Sequence, residues 1–468
     1  MRGGGDSGVA HPRRVDLGLV SASCRKAAAA AASRGPPARV STTTTNQGAG
    51  SRQRTARAAR SRATSPRRAA GARTVTPHFV SAPPLNASHQ SSDRLSQGRQ
   101  THRSAARCHP PSPPHLPLAA APCKLTPPAM AARSGTMRAV QYDRYGGGAQ
   151  GLKHAEVPIP SPNKGEVLIR MEATSINQVD WKFQKGVARP VMPRKFPFIS
   201  GFDLAGEVVE VGAGVSDFKP GDKVIAINFP NGGGLAEYAV ASASLTVPRP
   251  PEVSAAQGAC LPIAAVTALR SLQRAGVSLD PDGTAAGRKN VLVTAASGGV
   301  GHFAVQLARL GGHRVTATCG ARNLGLVVDQ LGADEALDYG TPEGAGLRSP
   351  SGRKYDAVVH CAAAAGVPWS AFRRVLADAG TVVDITPGFA AGATAILQMV
   401  TFSKKRLVPL LVTPRKDEME LLVGMVKEGR LTAVIDSRYP LSRAQEGWAR
   451  SMSGHATGKV VVEMGGEE

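Results

Sequence analysis

Residues 291–308, VLVTAASGGVGHFAVQLA, leave the chain few options. An apolar run short enough for a buried strand breaks into Ala, Ser and Gly, then resumes at once with apolar residues at helical spacing. The bend between them, in which Ala295, Gly298 and Gly301 form AxxGxxG, consists of residues with little or no side chain. Such a turn lets the chain reverse sharply, lets a ligand approach the main chain, and lets the helix pack closely on the strand. The N–H groups and positive dipole end of the helix then face an anion.

The surroundings of that turn narrow the reading. From about 261 to 398 strand and helix patterns alternate: NVLVTA, a helix over VGHFAVQLARLG, HRVTATC, a helix over LGLVVDQLG, YDAVVHCA, a helix over WSAFRRVLADA, and TVVDIT. This is the pattern of βαβ units around a doubly wound parallel sheet of Rossmann type. In that context the anion is a dinucleotide pyrophosphate, held by Ala295, Ser297, Gly298, Gly299, Val300 and Gly301. A site for NADH usually ends its second strand in Asp or Glu, which binds the ribose 2′-hydroxyl. Here the chain reads Cys319-Gly320-Ala321-Arg322-Asn323, and Arg322 favours a 2′-phosphate, hence NADPH.

Either side of this segment the character changes. Residues 137–260 carry short strand signals separated by Gly and Pro turns, GEVLIRMEATSIN, LAGEVVEVGAGV and GDKVIAI, as expected of a barrel-like antiparallel fold. Residues 399–468 add a helix over EMELLVGMVKEG, a strand AVIDSRYP, a helix over AQEGWARSM and a closing strand KVVVEM.

The first 136 residues differ again. They hold +18 of the formal net charge of +23, with 21 Lys and Arg against Asp6, Asp16 and Asp93; the other 332 residues carry only +5. The basicity is therefore no nucleic-acid signature of the folded part. Arg, Ser, Ala, Pro and Gly dominate with almost no apolar periodicity, so disorder is expected for 1–136. The segment reads as an organellar targeting leader, as an over-extended start before Met130 or Met137, or as a basic tail that meets nucleic acid or anionic lipid. No run of about 20 apolar residues predicts a membrane span. Of six cysteines, Cys24, Cys108 and Cys123 lie in this segment, while Cys260, Cys319 and Cys361 are scattered singly. That spacing supports neither a structural zinc lobe nor a disulfide framework, and fits a reducing compartment.

The order of three stretches, GFDLAGEVVEVGAGVSDFKPGDKV at 201–224, the AxxGxxG turn and the closing GKVVVEM, resembles the medium-chain dehydrogenase/reductase superfamily over essentially all of 137–468. The likeness is strongest to its zinc-free quinone oxidoreductase-like members, in particular the plant chloroplast-envelope quinone oxidoreductase group and its alkenal reductase relatives. The resemblance implies a GroES-like catalytic domain (137–260), an inserted Rossmann NADP-binding domain (261–398) and a C-terminal return to the catalytic domain (399–468). It also implies a chloroplast location in envelope or stroma, with the cytoplasm as the alternative, and a homodimer through Rossmann edges.

In the zinc-dependent members of that superfamily a Cys, a His in a GHE motif and a second Cys hold the metal. The corresponding positions here are Asn177, Phe202 and Ile263 or a neighbour, which cannot replace thiolate and imidazole ligands, so no metal site is expected. What remains for a nicotinamide cofactor is hydride delivery to an electron-poor acceptor, a quinone or an α,β-unsaturated carbonyl. Asn177 is the candidate hydrogen-bond donor to the substrate oxygen or the nicotinamide ribose. Lys182 stands where some relatives carry Tyr, and is a candidate proton donor or a surface lysine; Asp180 reads as an orienting carboxylate. By the same resemblance Thr267 lies near the cofactor, Tyr339 beside the adenosine 2′-phosphate, and Cys361 and Thr386 at the nicotinamide end. Cys361 reads as an inert buried thiol, and His360 as a core histidine facing the other way.

The expected activity is thus zinc-independent reduction of quinones or enones by NADPH, with no nucleic-acid partner. The competing reading is an NADPH-binding protein of low turnover whose work is association, at a membrane surface or on nucleic acid, through the basic tail or a basic face such as FSKKRL and TPRK.

Overall fold

The computed structural model describes residues 135–189, 191–280, 287–362 and 366–465. The expectations of disorder and targeting for the N-terminal segment, and its three cysteines, lie outside the described residues, except that Thr136 already opens the first strand.

Strands β1 (Thr136–Tyr142), β2 (Lys153–Pro158) and, after β3 (Glu166–Ile176) and helix α1 (Gln178–Gln184), the short β4 (Phe198–Ile199) start the chain. β1 pairs antiparallel with both β2 and β4. β5 (Asp203–Val211), β6 (Lys223–Ile227), β7 (Tyr238–Ser242) and β8 (Thr246–Pro248) follow. β3 is the spine of this lobe: β5 lies antiparallel to it, and its other pairings are with β7 over residues 166–170 and with the last strand of the chain over 173–176. Its alternating pattern buries Val167, Ile169 and Met171 against Leu204, Val208 and Val224.

A helical run crosses to the second lobe. Ala255–Ala259 is α-helical, Leu261–Ala265 widens into a π turn at Pro262, and α2 (Val266–Arg274) resumes the regular pitch. Proline has no N–H to give and cannot sit in a regular ladder, which accounts for the interruption. The parallel sheet follows with β9 (Asn290–Thr294), α3 (Gly301–Leu310), β10 (Arg314–Cys319), β11 (Glu335–Asp338), β12 (Tyr355–His360), α4 (Trp369–Val375), β13 (Leu376–Asp384), α5 (Phe389–Val400) and β14 (Arg406–Pro409). Its order is β11-β10-β9-β12-β13-β14, all parallel, so the doubly wound α/β sheet and the barrel-type lobe expected from the sequence are both present. The order reverses between β9 and β12, and ligands of such sheets bind beyond the strand ends at that reversal.

Three expectations need amending. The helix over LGLVVDQLG is a π turn at Leu326–Gln330. The helix over WSAFRRVLADA stops at Val375, because Leu376 already pairs with Tyr355 in the sheet. Helix α5 and strand β14 were not anticipated, and they carry the parallel sheet beyond residue 398.

α6 (Lys416–Lys427), β15 (Ile435–Pro440), α7 (Ala444–Met452) and β16 (Lys459–Glu463) complete the chain. β16 runs antiparallel to β3 and parallel to β15. One core continues through both lobes, joining Ile225, Ile227, Val247 and Val461 to Leu269, Phe303, Val293, Val359 and Leu422. Cys260, Cys319 and Cys361 are free and buried, and burial pushes their thiols up, to about 12, 11 and 12. Among the described residues no helix is long and apolar enough to cross a membrane.

Trp448 of α7 is fully buried and its Nε1–H donates to Gln184 Oε1 of α1 at 3.2 Å, tying the C-terminal helix to the catalytic lobe. Trp448→Ala leaves a large cavity, so urea denaturation is expected to show a loss of about 3–5 kcal/mol.

Candidate active site and cofactor cradle

The turn after β9 has the shape its small residues suggest. Ala295 has a left-handed backbone (φ 48°), and its carbonyl accepts from the Gly298 N–H at 2.9 Å. A Cβ on Gly301 would lie 2.3 Å from the Ala295 oxygen and 2.8 Å from Ala296 Cα, so only glycine allows α3 to start so close to the strand. In the first turn of α3 the His302 N–H donates to the Gly298 carbonyl at 3.1 Å, so the glycine turn runs directly into the helix. Asn323 Nδ2–H donates to Ser297 Oγ at 2.9 Å, and Val300 packs on the core behind.

Beyond the end of β10, Gly320 lies beneath Tyr339: a Cβ there would stand 2.9 Å from the tyrosine hydroxyl. Tyr339 is 59% exposed, so it is no core residue, and its N–H donates to the Cys319 carbonyl at 3.1 Å. Arg322 is exposed beside this corner, with one guanidinium N–H on the His455 carbonyl at 2.5 Å. Arg322 and Tyr339 thus flank one strand end.

At the opposite end of the turn lies a buried polar cluster in the catalytic lobe. Asn177 precedes α1, and its N–H donates to Asp180 Oδ2 at 2.8 Å. Asp180 Oδ1 also accepts from Ser200 Oγ–H at 2.8 Å and the Gly201 N–H at 3.0 Å. Full burial nevertheless raises its carboxyl to about 6, a carboxylate that shapes the loop. The Asn177 Nδ2 donates to Asp203 Oδ2 at 2.7 Å and, over a longer 3.3 Å, to the Ser175 carbonyl; its Oδ1 accepts from Lys459 Nζ. Asp203, also buried, takes the Ser175 hydroxyl at 2.5 Å and, on its second oxygen, the Ile263 N–H released by the π turn at 2.8 Å. Burial raises the Asp203 carboxyl; Lys459, 3.6 Å away, opposes that.

Lys182 lies half-buried on α1, where burial lowers its ammonium against the opposing pull of Asp384 at the end of β13. Asp384 Oδ1 accepts the Thr386 N–H at 2.9 Å. The Cys361 N–H donates to Thr294 Oγ1 at 3.0 Å, and His360 Nδ1 lies 2.8 Å from the same hydroxyl. Thr267 is turned inward: its hydroxyl donates to the Ile263 carbonyl one turn back at 2.5 Å.

The residues named from the sequence therefore gather into two groups, the turn with Arg322 and Tyr339, and the Asn177–Asp180 corner with Lys182 nearby. Asp203, Lys459, Ser175, Asn323 and Asp384 were not singled out. Asp203 and Lys459 stood in view within GFD and GKVVV, but a charged residue at a strand end reads as solvated until its burial is known. His302 was also passed over. It follows Gly301, is fully buried, donates from Nδ1 to the Gly298 carbonyl at 2.9 Å, and among the described residues leaves Nε2 with no partner.

A parallel sheet with a glycine-lined strand–turn–helix, joined through one core to a mainly antiparallel β lobe, defines a nicotinamide-dependent oxidoreductase. Residues 163–251 match the alcohol dehydrogenase GroES-like domain, and 331–462 the zinc-binding dehydrogenase family. "Quinone-oxidoreductase QR1, chloroplastic" of Triphysaria versicolor is 60% identical over 329 residues, 70% of this chain and 98% of that protein. "NADPH-dependent alkenal/one oxidoreductase, chloroplastic" of Arabidopsis thaliana is 32% identical over 342 residues, 70% and 79%. The solved quinone oxidoreductase of Coxiella burnetii is 30% identical, with TM-score 0.61 over 70% of this chain and 100% of its own. The chain belongs to the medium-chain dehydrogenase/reductase superfamily, in its quinone oxidoreductase-like branch. As for zinc, an amide, a phenyl ring and an isoleucine at 177, 202 and 263 do not fit it, and among the described residues no group of three His, Cys, Asp or Glu could hold a metal.

Burial lowers His302 to about 4 from 6.5. Its neutral ring supports the fold above pH 6.5, and that support is lost as pH falls toward 4. The stability difference between wild type and His302→Gln, read as urea midpoints, is expected to narrow over that window; Asp180, common to both proteins, cancels.

Proposed function

We propose that this oxidoreductase is NADPH-dependent and reduces quinones or α,β-unsaturated carbonyls. The observation that carries the cofactor choice is the corner after β10, where Tyr339 lies over Gly320 and Arg322 follows two residues on, with no acid at the end of β10. The name of the alkenal/one oxidoreductase relative supports the same choice. Ala295, Ser297, Gly298, Gly299, Val300 and Gly301 would hold the pyrophosphate, Arg322 and Tyr339 the 2′-phosphate, and the main chain at Cys361 and Thr386 would border the nicotinamide. When bound, the reduced nicotinamide supplies the hydride. Asn177 offers its Nδ2–H to the acceptor's oxygen, where negative charge develops, and Lys182, its ammonium lowered by burial, donates the proton. Asp180 holds the loop that carries Asn177.

A second reading has its own observation. Around the end of α5, Ile396, Leu397, Met399, Val400 and Phe402 are exposed, directly before Lys404, Lys405 and Arg406. That surface suits an NADPH-binding protein of low turnover in peripheral association with a membrane surface such as the envelope. β14, at the sheet edge beside it, is where a homodimer would pair. The two named relatives are chloroplastic, which supports a chloroplast location for this chain.

Steady-state oxidation of NADPH and NADH against a panel of quinones and enones separates the readings. Turnover with a preference for NADPH supports the enzyme, and tight NADPH binding without turnover supports the second. Arg322→Ala is expected to raise the KM for NADPH about 10- to 150-fold, the worth of a hydrogen bond to a charged group, and to leave the KM for NADH nearly unchanged.

A further inference from the structure

Lys459 is the first residue of the last strand, and its surroundings are unusual for a lysine: it is 2% exposed beside a fully buried Asp203. A buried ammonium is retained only where partners compensate its lost hydration. Its partners are Asn177 Oδ1 and the Asp203 carboxylate. Ile263 donates to that same carboxylate, and Phe202 precedes it in the chain. The cation therefore stands among the three positions, 177, 202 and 263, whose side chains carry no metal-binding set. Its stem reaches back to the cofactor turn, where a Cβ on Gly299 would lie 3.3 Å from Lys459 Cδ.

We propose that Lys459 is a positioning residue that orients and polarises the Asn177 amide for the substrate oxygen; this rests on the function proposed above. With Oδ1 fixed on the ammonium, the amide cannot flip, so Nδ2 presents both hydrogens on one side. One is held by Asp203 at 2.7 Å, and the other has only the 3.3 Å bond to the Ser175 carbonyl. The weaker bond is the one a substrate oxygen displaces. Electron density drawn toward the ammonium through Oδ1 strengthens the N–H as a donor. A fixed cation thus assists the developing oxyanion through Asn177 without touching it.

The test uses the full-length chain. Lys459→Met is expected to lower kcat about 100-fold with the KM for NADPH nearly unchanged, and to lower the Tm because Asp203 is left unpaired. The double variant Lys459→Met/Asp203→Asn removes that unpaired charge and is expected to recover the Tm but not kcat. Wild-type kcat in the single variant, or recovery of kcat together with the Tm in the double, overturns the proposal and leaves Lys459 a structural counter-ion. Hydrogen exchange of the Asn177 side-chain amide, followed by 15N NMR, reads the same point without turnover: exchange in the double variant is expected to be about 10-fold faster than in wild type. Unchanged exchange overturns the proposal. Absence of turnover in wild type instead overturns the function, while the exchange still judges the lysine.

Discussion

The entry to the last strand does two jobs within three residues. Gly458 sits with φ 88° under Val434, where a Cβ would come within 2.1 Å of a carbonyl oxygen, and from there donates its N–H to the Ser297 carbonyl in the cofactor turn at 2.8 Å. Lys459 follows into the buried Asn177–Asp203 cluster, and Val460 onward pairs with β3. The glycine turn after β9 and the Asn177 loop are thereby fixed to one stretch of backbone. Any chemistry at this cleft needs its two halves in register within a fraction of an ångström, and this strand supplies that register.

The buried charges give the cluster its character. Asp203 and Lys459 share a region with almost no solvent, so each is tolerable only while the other is present. The π turn at Leu261–Ala265 adds to the arrangement, because Pro262 breaks the ladder and the Ile263 N–H goes to Asp203. A helix irregularity thus provides a hydrogen bond that a regular helix would have kept for itself.

Much of the fold was legible in the sequence, for definite reasons. Strands β9, β10 and β12 are short apolar runs, and α3 keeps a helical spacing between Gly turns, so period and punctuation agreed. Helix α5 was missed because FAAGATAILQMV shows no polar face; it reads as a linker until the sheet gains β14 beyond it. The turn residues could be named because backbone geometry restricts which residues fit there, and Arg322 because no acid ends the strand before it. Lys459 and Asp203 could not, since their partners lie 282 and 26 residues from them along the chain, and burial of a charge depends on tertiary packing alone. At Thr267 the hydroxyl bonds within its own helical run, donating to the Ile263 carbonyl, which its motif position alone did not reveal.

Cys260, Cys319 and Cys361 are buried and, with their thiols held far above neutrality, stay protonated. Quinones and conjugated enones are electrophiles that add to thiolates, and thiolate is the form these residues lack. Among the described residues, the folded body therefore presents no ready thiolate for such compounds to alkylate.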